Sequence, residues 1–469
     1  MNRRASSKYS KMVNELCEQQ SRSSARTVRL VGSGLPLTIM CVALLTLTQP
    51  IEAWCQKPRP TNQSRQKAQT GATSAPSSDW LQWGGQGRDF IAPATELPSP
   101  WPVGGPRKLW SRDLGDGYSG IAVEGTTLYT AYRRGSQDVV IALDARTGKT
   151  LWEYAYEATF KNDYSEAVGP GPYAMPQVVG DRLVTASGIG QIHSLDKKTG
   201  KVVWSRDLYN EFGGTRLIYG YACHALPYKG SLILLAGGGR GSAALALRQS
   251  DGSILWKNQD FFNAYSSPLL IDVDGQPQVV ALLADRVIGF SPDDGRLLWQ
   301  HLHDTQYGIA ISTPVWAPGN LLFISSAYNS GSRVLELRRS GGKTRVKELW
   351  YNQKLQSHFS DVIRHGDYLY FTSGYNGPTF MTCVNLRSGQ VAWQERGFAK
   401  GQLVKSGEKL ILLDEDGTLA LFEATPAGLR VLSKESLLQR PSWTPPTLSG
   451  STLYLRDRKS LMALDLAAK

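Results

Sequence analysis

From residue 79 to the end, the chain alternates short apolar runs with turn residues, and helical spacing is nearly absent. The run "VVIAL" at 139–143 reads as a half-buried strand. Asp144, Thr147 and Gly148 then form a turn whose glycine supplies a left-handed backbone position, and a second strand runs to Trp152. This phrase recurs. "ALDARTGKTLW" ends at Trp152, "SLDKKTGKVVW" at Trp204, "ALRQSDGSILW" at Trp256 and "GFSPDDGRLLW" at Trp299, while a longer "ELRRSGGKTRVKELW" ends at Trp350 and "CVNLRSGQVAW" at Trp393. A spacing of 43 to 52 residues is the mark of a repeat architecture. Two further strands precede each hairpin, as in "YSSPLLIDVDGQPQVVALLADRVIGF", where Asp274-Gly275 is a two-residue hairpin turn. Four strands per unit predict propeller blades.

Counting from Trp110 gives eight units, and the last, "WTPPTLSGSTLYLRDRKSLMALDLAAK", stops after its third strand. The segment "PRKLWSRDL" at 106–114 resembles the missing outer strand. The expected fold is therefore all-β: an eight-bladed propeller over 79–469, built of four-stranded antiparallel blades, with the N-terminal strand completing the last blade. Such closure removes open sheet edges. Gly148-Lys149-Thr150 is then a hairpin corner. A phosphate loop of the form G-x-x-x-x-G-K-T would need glycine at 143, where the chain has Leu143.

The net charge of +12 changes this picture only at the N-terminus, since residues 1–70 carry 8 of those charges. The remainder is nearly balanced and offers no electrostatic footprint for nucleic acid. A basic stretch followed by the apolar "LPLTIMCVALLTL" at 35–47 makes residues 1–53 a secretory signal peptide or an N-terminal membrane anchor, with Gln/Ser/Thr/Pro-rich residues 54–78 as a disordered linker. Both readings imply export, to the periplasm or cell envelope. Cys223 and Cys383, the two cysteines of the globular part, are about 160 residues apart and read as separate buried side chains.

Inner strands of a propeller line its channel, so the residues just before them are candidate ligand contacts. They are Tyr118-Ser119, Tyr173-Ala174, Tyr221-Ala222, Tyr265-Ser266, Ile311-Ser312, Phe359-Ser360 and Trp443-Thr444. One reading makes them core caps where strands converge; the other makes them a funnel mouth suited to stacking on sugar rings, a quinone or a peptide. Asp361 falls where sister units place a core residue or a proline (Pro268, Pro314), with His358 just before it, and a His–Asp pair is a candidate for acid–base work. Cys223 and His224 occupy the equivalent strand of unit three. His301 and His303 share one strand face at a spacing that could hold a metal, but they are two ligands without a third. Asp272 and Asp274 lack the other oxygen ligands of a calcium loop.

The Trp-terminated phrases resemble the pyrroloquinoline-quinone-type repeat, in which the terminal Trp (here Trp110, Trp152, Trp204, Trp256, Trp299, Trp350 and Trp393) docks between blades. With "DWLQWGGQGRDF", "HFSDV", "ERGFAKGQLV" and "WTPPTL", residues 79–469 look like a group of exported bacterial propellers common in planctomycetes. The resemblance points two ways. BamB-type outer-membrane assembly lipoproteins carry the repeat without cofactor or catalysis and bind proteins. Quinoprotein alcohol dehydrogenases hold a quinone and calcium in the central funnel. The chain lacks the vicinal Cys-Cys pair, the long insertions and the C-x-x-C-H haem motif of those enzymes. The resemblance thus implies a non-enzymatic, monomeric scaffold binding envelope proteins or polysaccharide, with no metal and no cofactor. The alternative is a quinoprotein-type alcohol or sugar dehydrogenase using pyrroloquinoline quinone with calcium.

Overall fold

A computed structural model describes residues 77–160, 168–375 and 377–467. The expected signal or anchor, and the linker up to residue 76, lie outside these. The described residues form eight antiparallel blades. Blades 1 to 7 begin at inner strands Ala122–Glu124, Gln177–Val179, Leu226–Tyr228, Leu269–Val273, Val315–Ala317, Ile363–His365 and Gly401–Ser406. Blade 8 joins Thr447–Ser449, Thr452–Arg456 and Ser460–Asp465 to the N-terminal strand Arg107–Asp113. Register Arg107↔Asp465 through Asp113↔Ser460 closes the ring. Arg458 reinforces the seam with a two-pronged ion pair to Asp116, Nε–Oδ1 3.0 Å and Nη2–Oδ2 3.3 Å.

In seven of the eight blades the outer strand carries a β-bulge just before its tryptophan. Trp152 pairs with Ala142 and Thr150 with Leu143, leaving Leu151 over. The same shift occurs at Trp110, Trp204, Trp256, Trp299, Trp350 and Trp393. A bulge re-aims a side chain out of the strand's alternation, and here it turns the indole toward the next blade. Trp152 Nε1 donates to Lys197 O at 3.1 Å, Trp204 to Gln249 O at 2.9 Å and Trp350 to Leu386 O at 2.8 Å, each a carbonyl of the following blade's turn. The ring lies on the turn's glycine: a Cβ on Gly200 would meet Trp152 at 2.5 Å, and one on Gly252 would meet Trp204 at 2.7 Å. The glycine of Thr-Gly-Lys is thus set by the neighbouring blade as well as by its own positive φ.

Trp299 departs from this rule. The blade it faces has a long hairpin where blades 1, 2, 3, 4 and 6 have a short turn. Trp299 Nε1 therefore donates to Gln278 Oε1 at 2.7 Å, and Gln278 Nε2 passes the link to Thr344 Oγ1 at 2.8 Å.

Ahead of the closing strand, residues 80–97 run through the ring. Trp80 exchanges backbone bonds with Val123 of blade 1, and Leu81 O accepts from Val178 N of blade 2. Trp83 Nε1 donates to Thr313 Oγ1 before blade 5 (3.0 Å). Ile91–Ala92 adds a short parallel strand to the inner edge of blade 7. Arg88 is buried, its Nη1 donating to Pro268 O (2.7 Å) and its Nη2 to Ala225 O (2.6 Å), so it bolts blades 3 and 4 to this segment. Burial lowers its pKa to about 10, which leaves it charged at neutral pH. Gly84 makes the compact fold-back possible, since a Cβ there would meet the Arg88 backbone at 2.7 Å. The phrase "DWLQWGGQGRDF" is therefore a plug of the channel.

Trp204→Ala should cost about 3–5 kcal/mol, the range for truncating a buried Trp, whereas Trp393→Ala, at a partly exposed ring, should cost less. Urea unfolding midpoints test the order, and equal losses would remove indole burial as the source. Arg88→Met leaves two buried carbonyls without donors and should cost roughly 2–3 kcal/mol. An unchanged midpoint would show that the plug adds nothing to stability.

Candidate functional site

The residues before the inner strands gather at one end of the ring, opposite the turns that receive the tryptophans. Tyr118 stacks with Tyr173 (centroids 5.9 Å, 8° between planes) and meets Trp443 at 4.9 Å. Trp443 meets Phe359 at 5.3 Å, and Phe359 lies 4.6 Å from His358. His358 continues to Tyr328 and Tyr375, each 5.2 Å away. On the far side Tyr265 meets Tyr219 at 6.0 Å and packs in one cluster with Tyr307, Ile311 and Tyr328. These residues form an aromatic collar, with Tyr173, Trp443, Phe359, Tyr265 and Tyr375 partly exposed.

Charge fixes the collar's centre. The buried Glu415 accepts from Trp443 Nε1 (3.1 Å) and pairs with Lys400 (3.4 Å) and Arg440 (3.5 Å). Lys400 in turn lies over the Phe359 ring at 5.0 Å. Gln402, from the inner strand of blade 7, donates to Phe359 O and Trp443 O and accepts from Asp361 N (3.1 Å). One amide thus ties blades 6, 7 and 8 beneath the two most central rings.

Other predicted site residues face inward. Ser119 Oγ donates to Ala174 O (2.9 Å), Ser266 Oγ to Ser312 O (3.0 Å) and Ser312 Oγ to Ser360 O (2.9 Å). Ser360 Oγ accepts from Thr372 N at 3.3 Å. The hydroxyls of Ser119, Ser266 and Ser312 staple blade to blade, which is the core-capping alternative, while that of Ser360 bonds within blade 6. Tyr221 is fully buried against Tyr209 and Cys223.

His224 stacks on Trp83 of the plug, 4.4 Å apart and 14° from parallel. Its Nε2 accepts from Met175 N (2.9 Å), so Nδ1 carries the proton and donates to Ser267 Oγ (2.7 Å). Burial, then the Arg88 charge, hold it neutral.

Asp361 belongs to a different level from the one its alignment with Pro268 and Pro314 suggests. It stands two residues before its inner strand, level with Ser267, Thr313 and His224. It is buried, its Oδ2 has no hydrogen-bond partner among the described residues, and desolvation raises its pKa well above the usual carboxylate value. His358 shares a 2.9 Å hydrogen bond with Tyr328 instead, and burial together with Lys400 lowers its pKa to about 3. No hydrogen bond joins the two among the described residues, so they do not form an acid–base pair.

His301 and His303 do come together, around Arg333. Its Nη1 bonds His301 Nε2 and its Nε donates to His303 Nδ1, both at 3.1 Å. A guanidinium occupies the place a cation would take. Asp272 and Asp274 serve turns, accepting from Gly275 N (2.7 Å) and from Asn320 Nδ2 and Arg339 N (2.6 and 2.8 Å). Cys223 and Cys383 are buried and free, on blades 3 and 6. Among the described residues no three His, Cys, Asp or Glu side chains converge to hold a metal ion.

Sequence reasoning missed Lys400, Gln402 and Glu415, whose contacts to Phe359 and Trp443 reach other blades, and Trp83 and Arg88. Both lie in "DWLQWGGQGRDF", a phrase that carried only the family resemblance.

A family model described as outer membrane protein assembly factor BamB matches residues 104–178 and 165–395. Similar known proteins include the outer membrane protein assembly factor BamB of Yersinia pestis, 23% identical over 371 residues, covering 76% of this chain and 77% of that one. Another is that of Shewanella oneidensis, 23% identical over 281 residues, covering 58% of this chain and 68% of that one. Among solved structures, BamB from Moraxella catarrhalis superposes with a TM-score of 0.53 at 16% identity, covering 76% of this chain and 99% of the other. A quinohemoprotein alcohol dehydrogenase from Comamonas testosteroni superposes with a TM-score of 0.60 at 12% identity, covering 84% and 81%. At such identities the superpositions show a shared fold alone.

The state of Asp361 is testable through pH. Its folded pKa is raised, so above about pH 4 the unfolded chain releases a proton that the folded chain keeps. Stability falls by up to about 1.4 kcal/mol per pH unit until the folded pKa is reached. Asp361→Asn should match the parent near pH 4 and exceed it at pH 8 in unfolding midpoint. A variant equally weakened at both pH values would mean that the carboxylate is ionised and paired.

Proposed function

We propose a function from one premise: the chain belongs to the family of the outer membrane protein assembly factor BamB. It is an exported scaffold of the cell envelope that takes part in assembling outer membrane proteins by binding protein partners, and it performs no chemistry of its own. Its binding site is the aromatic collar. The observation that carries this reading is the fixing of Trp443 and Phe359 by Glu415, Lys400 and Gln402. Rigid aromatic rings with ordered polar neighbours are what binding hot spots use, because little side-chain entropy remains to be lost. The leader expected in residues 1–53 supports export, whether it is cleaved or tethers the protein to a membrane.

A polysaccharide partner would use the same rings, as sugar faces stack on them. The protein reading is preferred because the relatives are named as protein assembly factors. The dehydrogenase reading has the fold of its relatives and lacks the gathered ligands.

A photo-crosslinking residue placed at 359 should form adducts with envelope proteins, whereas one at the exposed Val431 on an outer strand should not. Adding Trp443→Ala should weaken the collar adducts at least tenfold without moving the melting temperature. Equal adducts from both positions would overturn the collar as the site, and retardation in gels containing envelope polysaccharide, without protein adducts, would favour glycan. Pyrroloquinoline quinone titrated with calcium should give no saturable heat.

A further inference from the structure

The end of the ring opposite the collar carries a second feature, and it does not depend on the collar reading. In blades 1, 2, 3, 4 and 6 the last hairpin closes after a single residue pair beyond the bulge, such as Leu143↔Thr150. In blade 5 six pairs follow, from Leu335↔Glu348 to Ser340↔Lys343. The five extra pairs project the tip roughly 16 Å further, at about 3.3 Å per residue. Between 338 and 347 the hairpin reads "RRSGGKTRVK", with Arg338, Arg339, Lys343, Arg345 and Lys347 all exposed and no acid in the span. Only Arg338 pairs with a carboxylate among the described residues, Glu336 at 3.0 Å.

The hairpin is held near its tip, at the Arg339↔Thr344 pair, against blade 4. Asp274 accepts from Arg339 N at 2.8 Å, and Gln278 donates to Thr344 Oγ1 at 2.8 Å. The described chain also starts at this end. Asp79 Oδ1 accepts from Gly125 N (2.8 Å), in the first turn of blade 1, and the first and third turns of an antiparallel blade lie at the same end. Residue 79 follows the sequence that carries the basic, apolar leader.

We propose that the blade 5 hairpin docks this end of the ring onto an anionic lipid surface, its cations meeting the phosphate headgroups. Clustered Lys and Arg near such a surface each add attraction that salt screens. An acidic protein would be the other polyanion. It is disfavoured because the tip, Ser340-Gly341-Gly342, offers no aromatic or aliphatic anchor of the kind protein interfaces are centred on. With the hairpin on lipid, the collar faces away from the membrane and is open to partners.

Residues 77–469 contain the closed ring and its plug without the apolar leader, so they suit vesicle flotation. They should float with vesicles containing phosphatidylglycerol at low salt, and stay behind with phosphatidylcholine alone or at about 500 mM salt, where the screening length falls to a few ångströms. Arg339→Glu/Lys343→Glu/Arg345→Glu should reduce flotation at least tenfold while the melting temperature stays unchanged. Soluble glycerol phosphate should not compete at concentrations matching the lipid headgroups. Equal flotation of parent and variant would overturn the proposal. So would full competition by glycerol phosphate, or binding to soluble polyglutamate without binding to vesicles.

Discussion

Seven of the eight joints between successive blades add an indole to the packing of one sheet face on the next. A strand in regular alternation already points its side chains at the neighbouring blades and buries them there. The bulge before each tryptophan re-aims the ring out of that alternation onto the following turn, and the glycine of that turn supplies the space. Burial of the ring face and one N–H to carbonyl bond then come together at each joint. Because each joint involves only neighbours, the ring is a sum of similar local contacts, as in other repeat proteins. Where blade 5 gives up its short turn for a long hairpin, the joint survives only because Gln278 carries the hydrogen bond across.

This regularity explains why so much of the fold was legible. Period, hairpin chemistry and strand count all follow from local sequence, and the eight blades and the closing strand appear where those patterns put them. The glycine of Thr-Gly-Lys could be read as a turn residue, although its second duty, carrying a neighbour's indole, is written in another repeat. Blade 7 ends its pattern without the aromatic: Ser433 stands at the bulge in its place and accepts from Trp101 N at 2.8 Å.

The channel was far less legible. Serines 119, 266, 312 and 360 and the large apolar residues before them form one sequence pattern, yet the serines turn inward, three of them to staple blades, while several of the rings turn outward. The pattern is shared because both come from one step in the chain, and the division between them is made by tertiary packing. Asp361 and His358 suggested chemistry through proximity in sequence, but they contact different blades. Histidines 301 and 303 suggested a metal, and an arginine from the next blade answers both. In each case the deciding partner lies tens of residues away, where no spacing rule reaches.

The closing strand carries a consequence for the order in which the molecule can form. Arg107 and Asp465 are hydrogen-bonded across a sequence separation of 358 residues. The plug that fills the channel lies still earlier in the chain, at residues 80–97. This early strand is therefore among the last to find its place, since its partner at Ser460–Asp465 is made only after all the intervening blades. Contacts so distant in sequence bear the full entropy of closing the loop between them. A chain built this way remains an open, threadable array of hairpins while it is being made and moved, and becomes a ring only after its last strand has arrived.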